Sequence, residues 1–310
     1  MEQGKPYYHA FVDTYPTVHD LAAATEEEVL RLWQGLGYYS RARNLHACAK
    51  QVVDKHDGRF PETYEELLTL KGVGKYTAAA IASFAFGEAV PVVDGNVFRF
   101  FSRVFGIQTD IASSGAFKEF FSLGLELIDQ NQPGNFNQAA MEFGATYCKP
   151  RNPPCLTCVL AEHCHANATS TQHLLPVKSK KTKVRNRYFN YLVFYYEDKV
   201  LVRQRPQGDI WTGLYDFFLV ETEVSEKPNL WDSFLHDGSP DLILGEPSEE
   251  YKHLLSHQRL HARFFPAQTG SLESLEQLAQ QHDLQAVSLT ELENIPKPVL
   301  ILRYLNDVQF

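Results

Sequence analysis

Four of the five cysteines in this chain stand close together, as Cys148-x6-Cys155-x2-Cys158-x5-Cys164. Thiolates ligate soft and borderline metals, and these four lie within seventeen residues that also hold Pro150, Pro153 and Pro154. A segment that short buries no core of its own, so a central group has to organise it. Iron–sulfur and zinc are the two candidates. Structural zinc usually takes two separated, closely spaced pairs, whereas here one close pair is flanked by single cysteines at unequal distances, a pattern that favours a [4Fe–4S] cluster. The plain alternative is two disulfides. It is disfavoured because the N-terminus carries no secretory pattern and Cys48 is left over, and a reducing cytoplasm is expected.

A second feature is Leu70-Lys71-Gly72-Val73-Gly74-Lys75-Tyr76-Thr77-Ala78, between two helical patterns. Two glycines permit a tight turn whose backbone N–H groups face outward at a helix start, an arrangement that binds phosphate. It matches a helix–hairpin–helix element, which grips a nucleic-acid backbone without reading bases. Gly72, Gly74 and Lys75 are its candidate contacts; a simple packing turn is the alternative. About twenty residues on, Asp94 follows the apolar pair Val92-Val93 and precedes Gly95-Asn96-Val97. An Asp so placed is most often a helix N-cap, and it is also a carboxylate available for chemistry.

These groups need elements to hold them. With 310 residues, 44% hydrophobic and 22% charged, the chain has room for two domains with proper cores. No apolar run reaches membrane-spanning length, and no membrane partner is expected. The net charge of −9 argues against nucleic acid only until it is divided. Through Arg187 there are 20 Lys plus Arg against 19 Asp plus Glu, and from Tyr188 onward 9 against 19. The acidity therefore belongs to the C-terminal part. Helical spacing predicts helices over 25–36, 40–56, 61–70, 74–86, 95–105 and 113–131. From Tyr188 the pattern shifts to β-branched and aromatic runs, predicting strands over 191–196, 200–203, 217–221 and 261–265 and helices near Leu230 and over 272–282. The expected organisation is multidomain. A helical core over 1–147 is followed by a cluster loop over 148–170, a basic linker over 171–187 and an α+β domain over 188–310. The linker bears Lys178, Lys180, Lys181, Lys183, Arg185 and Arg187, either a solvated tether or a segment touching phosphate.

Leu32-Trp33-Gln34-Gly35-Leu36-Gly37-Tyr38-Tyr39-Ser40-Arg41-Ala42-Arg43-Asn44-Leu45, with the hairpin, Asp94 and the cysteines in that order, resembles the adenine DNA glycosylases of the MutY type over nearly the whole chain. The resemblance implies an all-α helix–hairpin–helix region with a [4Fe–4S] loop, acting as a monomer on double-stranded DNA carrying adenine opposite 8-oxoguanine or guanine. The reaction it implies is hydrolysis of the adenine N-glycosidic bond. Tyr38 would wedge into the duplex while the adenine is turned out; its alternative is a core aromatic. Asp94 would stabilise or capture the sugar cation, Asn96 would hold the site and Tyr76 would lie near the sugar. Related bifunctional enzymes have a Schiff-base lysine where Tyr76 stands, so weak strand cleavage is expected; Lys75 lies on another helical face.

In the second half, Arg203-Gln204-Arg205-Pro206 and Ile210-Trp211-Thr212-Gly213-Leu214-Tyr215-Asp216-Phe217 resemble the Nudix-related domain of this family, without a Glu-rich metal box after Phe217. Binding rather than hydrolysis is implied. His253-Leu254-Leu255-Ser256-His257 matches the lesion-probing loop, with Ser256 and His257 as contacts; a plain surface loop is the alternative. The family's general-acid Glu lies on a helix ahead of the region matching Pro6-Tyr7-Tyr8, and Glu2 does not align with it. A late start or a fragment is expected, with weak lesion binding, slow excision and reduced solubility from uncovered apolar surface. The competing readings are a glycosylase or lyase for oxidised pyrimidines, a non-catalytic iron–sulfur DNA-binding protein, and a Nudix pyrophosphatase.

Overall fold

The computed structural model describes residues 2–179, 184–223 and 242–308. In chain order the helices are α1 (Lys5–Thr14), α2 (Val18–Ala23), α3 (Glu26–Leu32), α4 (Ser40–His56), α5 (Tyr64–Leu67), α6 (Lys75–Ala85), α7 (Gly95–Phe105), α8 (Ala116–Leu127), α9 (Pro133–Glu142) and α10 (His165–Thr169). Strands β1 (Arg185–Tyr196), β2 (Lys199–Gln204), β3 (Tyr215–Asp216), β4 (Phe218–Thr222), β5 (Leu242–Leu244), β6 (Tyr251–Leu254) and β7 (Gln258–Thr269) follow. Helix α11 (Leu272–His282), strand β8 (Gln285–Ser288), α12 (Leu289–Asn294) and α13 (Val299–Asp307) complete the chain. The helix expected near Leu230 lies outside the described residues. Among those described, no helix is long and apolar enough to cross a membrane.

Two compact units emerge, one of Met1–Lys50 with Thr182–Phe310 and the other of Gln51–Lys181. This division cuts across the expected domain boundaries, because the N-terminal helices pack with the C-terminal sheet. Val29 and Leu30 of α3 and Tyr39 and Ala42 share one core with Phe189, Tyr191, Val193, Phe264, Leu300 and Tyr304. Thr17 and Thr25 open α2 and α3 with reciprocal capping boxes to Asp20 and Glu28, which sets where each helix begins.

In that unit β1 is central. It pairs in parallel with β7 from Arg185↔Gln258 to Tyr195↔Gln268 and antiparallel with β4 and β2 on its other side. Alternation along β1 sends Phe189, Tyr191 and Val193 to one layer and Leu192 and Phe194 to the other, where Leu275 and Leu278 of α11 cover them. Arg187 donates to Asp209 and to Glu221, tying the first turn of β1 to the 205–214 loop and β4. Strand β1 thus takes up the last residues of the expected linker.

The second unit is helical. Val93, Val97, Phe101, Phe120 and Ala140 form its core. The expected helix over 61–70 contracts to α5, capped by Thr63, because the turns of the hairpin begin directly after it. The start of the expected linker is fixed rather than free: Arg103 Nε donates to Leu175 O at 3.1 Å, and Ile111 N donates to Val177 O at 3.0 Å.

Candidate functional site

The hairpin forms as its glycines require. Gly72 has φ +76°, a left-handed value that a side chain resists, and Val73 N donates back to Leu70 O. Gly74 then caps α6 with no side-chain hydrogen bond, leaving the first N–H groups of the helix without a side-chain acceptor. A Cβ at Gly74 would meet open space. The Lys75 ammonium lies 4.2 Å from the centre of the Phe117 ring. Tyr76 is half exposed, and its hydroxyl donates to Met141 Sδ on α9.

Asp94 is the N-cap of α7, and it is more than a cap. Oδ1 accepts from Asn96 N at 2.9 Å and Val97 N at 2.8 Å, while Oδ2 accepts from Asn96 Nδ2 at 2.8 Å. The carboxylate is therefore held through both oxygens, only partly buried, at the positive end of a helix. Asn96 is itself fixed, since its Oδ1 accepts from Arg99 Nη2 at 2.9 Å. Arg99, nine-tenths buried, also donates to Gly144 O and to Cys148 O. Gly144 sits in a π-helical turn, Phe143–Tyr147, so close to α7 that a Cβ would stand 2.8 Å from Asn96 O. The segment leading to Asp94 is clamped from α9: Asn137 accepts from Val92 N and donates to Val90 O and to Ser83 Oγ. Asp94 and Asn96 are thus brought together directly. Tyr76 is bonded to α9 one turn beyond Asn137.

Arg99, Arg103, Asn137 and Gly144 were not singled out from sequence. The two arginines carried a signal, being four residues apart on an otherwise apolar helix, where a buried charge needs acceptors. Nothing local marked Asn137 or Gly144.

The four clustered cysteines line one cavity together with Arg103, Phe143, Tyr147, Leu160, Ala166, Asn167 and Gln172. Among the described residues no three His, Cys, Asp or Glu side chains converge in the way a single metal ion requires. The donor set nevertheless fits a thiolate-ligated group. Arg103 Nη1 and Leu160 N each point at a cysteine sulfur, Cys148 and Cys158 respectively, at 3.4 Å. N–H donors and a cation beside sulfur are what stabilise bound thiolates. Burial, and then the neighbouring Cys148, Cys164 and Cys158, push the Cys155 thiol up.

In the other unit, Tyr38 has φ 51° and is 67% exposed, so it is not the core aromatic that an apolar helix face would supply. Its hydroxyl is bonded to Ser256 Oγ, and the Arg41 guanidinium lies over its ring at 5.2 Å. Ser256 and His257 are exposed at the tip between β6 and β7, where Leu255 N donates to Gln258 O. His253 is turned away against Trp211. Tyr38 and Ser256 are therefore partners, two hundred residues apart in sequence.

Residues 1–123 match the HhH-GPD superfamily of base excision DNA repair proteins, and residues 190–307 match the NUDIX domain. The adenine DNA glycosylase of Schizosaccharomyces pombe is 30% identical over 94% of this chain and 75% of its own length. The human adenine DNA glycosylase is 48% identical over 54% of this chain and 31% of its own length, so the chain spans about a third of that relative. Among solved structures, a thermostable thymine-DNA glycosylase superposes with a TM-score of 0.50 at 30% identity, covering 54% of this chain and 76% of the other.

Proposed function

Because the chain belongs to the adenine DNA glycosylase family, we propose that it is a base-excision glycosylase that hydrolyses the N-glycosidic bond of adenine mispaired with 8-oxoguanine or guanine in double-stranded DNA. The observation that carries this reading is the carboxylate of Asp94. It is fixed at both oxygens, close to the hairpin unit's surface, with no lysine in the position of Tyr76. Oxocarbenium character that develops on the deoxyribose is best met by an anion that has no reorganising left to do. The bonds from Asn96 N, Val97 N and Asn96 Nδ2 supply that preorganisation. In the same reading the open N–H groups after Gly74 seat a backbone phosphate, with Gly72 shaping the turn and Lys75 adding charge. Tyr38, Ser256 and His257 meet the base opposite the adenine. Tyr38 supplies stacking area, and the hydroxyl of Ser256 and the imidazole of His257 supply polar contacts.

The cavity of Cys148, Cys155, Cys158 and Cys164 would hold a [4Fe–4S] cluster, which when bound ties the loop into one body. Arg99 and Arg103 hold the loop's carbonyls on the protein side, and Arg99 carries that hold on to Asn96.

Single-turnover release of adenine from a duplex with one adenine–8-oxoguanine pair tests the proposal. A rate well above that of the protein-free duplex supports it whatever its absolute size, since proton donation alone contributes about 10²- to 10⁴-fold. Borohydride should trap no covalent adduct. An efficient trapped adduct, or release from oxidised pyrimidines in place of adenine, would assign the chain to the lyase reading instead.

A further inference from the structure

We propose that Gln172 is a hydrogen-bond donor to the iron–sulfur group and helps set its reduction potential. The proposal rests on the cluster reading above and adds a residue outside the four ligands. Other polar side chains on the cavity wall are accounted for. Arg103 donates to Cys148 Sγ and Lys149 O, Tyr147 Oη donates to Thr157 O, and Asn167 Nδ2 donates to Ala161 O. Gln172 differs. It lines the same cavity, and its Oε1 is shut off from solvent with no hydrogen-bond partner.

A buried carbonyl oxygen left without a donor loses the hydrogen bonds it had in water and is destabilising. In a cavity holding thiolates and the sulfides of a cluster it would be worse placed still, because these are acceptors and electron-rich. The remedy is within the side chain. A half-turn of the terminal torsion exchanges the amide oxygen and nitrogen at almost no change in shape. Two N–H donors then stand where the oxygen was, on the wall of the cavity that the cysteines line, and the oxygen passes to the other end of a side chain that is only partly buried. The backbone makes this placement dependable. Thr171 N donates to Ala166 O at 2.9 Å, Leu174 N donates to Thr171 O at 2.9 Å, and Leu175 O is held by Arg103. The turn carrying Gln172 is pinned on both sides.

A donor to sulfur favours the reduced cluster, whose sulfurs carry more negative charge, and so raises the potential. Reduction here adds one electron from an electrode and makes or breaks no bond. One hydrogen bond of ordinary strength corresponds to about a tenfold change in the oxidised-to-reduced ratio, about 59 mV for a one-electron couple.

The test compares the holoprotein with Gln172→Leu and Gln172→Glu by iron and acid-labile sulfide content and then by film voltammetry. The expected result is equal loading, a potential lower by about that tenfold ratio in the Leu variant, and a further fall with Glu. A fully loaded Leu variant at the wild-type potential overturns the role of Gln172 and leaves the cluster reading intact. Wild-type protein without iron and sulfide overturns both. If the variants lose iron, wild-type holoprotein carrying ¹⁵N in its glutamine side chains decides the matter. Magnetic coupling from a glutamine nitrogen to the paramagnetic cluster supports the proposal, and its absence defeats it.

Discussion

Replacing Asp94 by Asn separates what the carboxylate does for the helix from what it does for a substrate. Asn and Asp cap helices about equally well, so Oδ1 can still accept from Asn96 N and Val97 N. What changes is the second oxygen. An amide nitrogen there would face Asn96 Nδ2, donor against donor, and Asn96 cannot turn over without giving up Arg99. Loss of that charged hydrogen bond and of the favourable helix-end charge should lower stability by about 1–2 kcal/mol. Binding of a cation is a different matter. At about 4 Å a charge pair is worth about 1 kcal/mol in water and about 4 kcal/mol near a protein surface. The partly buried position of Asp94 lies between, at about 2 kcal/mol, or roughly 30-fold in affinity. The assay is competition binding of two duplexes, one with a cationic pyrrolidine in place of the deoxyribose and one with a neutral tetrahydrofuran. The wild type should prefer the cation by about that factor, and the Asn variant should lose the preference while binding the neutral duplex as before. An unchanged cation-to-neutral ratio would show that Asp94 is a cap and nothing more.

Other perturbations probe the supports. Asn137→Ala should strand Val92 N and Val90 O in the core and cost about 2–4 kcal/mol in urea unfolding; a loss below about 0.5 kcal/mol would mean the clamp on the Asp94 segment is dispensable. Arg187→Met should cost about 2–3 kcal/mol, less than a fully buried ion pair, because Asp209 and Glu221 both reach water. The same variant should alter acid unfolding. Arg187 holds Asp209 down at about 2, so its contribution is present above the ordinary carboxylate value and is lost as pH falls from about 4 towards 2; titrating both proteins through that window should show the loss only in the wild type. Lys297, 1% exposed and donating to Glu293 O, is pressed down to about 8 by burial and then by Arg31. The unfolded chain then binds more protons between about pH 8 and 10.4, so stability should rise across that window, by about 2 kcal/mol at pH 9.5, and Lys297→Met should abolish the rise; parallel curves for the two proteins would refute it.

Much of this was legible from local pattern, and the exceptions have physical reasons. The helices over 40–56, 95–105 and 272–282 have the bounds that their spacing predicts, because each carries a continuous apolar stripe between clear stops. The spacing of the cysteines placed them on one cavity, and the glycines of the hairpin predicted a turn that Gly72 does make. The expected domain boundaries were drawn from composition, which changes at Tyr188. Composition cannot reveal that Leu30 and Tyr39 complete the core behind β1, since that depends on contacts between residues some two hundred positions apart. Gly144 is similar. Its need to be glycine comes from Asn96 across the helix pair, and no periodicity announces it. Arg99 and Arg103 find their acceptors on the loop around Cys148, Lys149 and Leu175, so their partners are set by the tertiary fold.

The position of Asp94 also bears on how structural and chemical roles combine. An N-cap and a reacting carboxylate are usually weighed as rival explanations of the same Asp, yet under the proposed function each supports the other. A surface carboxylate turns freely and is surrounded by water, so it meets a developing cation only after reorganising. Capping removes that freedom, because two backbone donors fix Oδ1 and one side-chain donor fixes the direction of Oδ2. The carboxylate is then held in one orientation at the positive end of a helix. Arg99 extends the constraint through Asn96 to the backbone of Gly144 and Cys148, so the orientation of the carboxylate depends on the loop that the cysteines define. Disturbing that loop should therefore change the cation preference of the site before it changes the stability of α7, whose cap hydrogen bonds are local to residues 94–97.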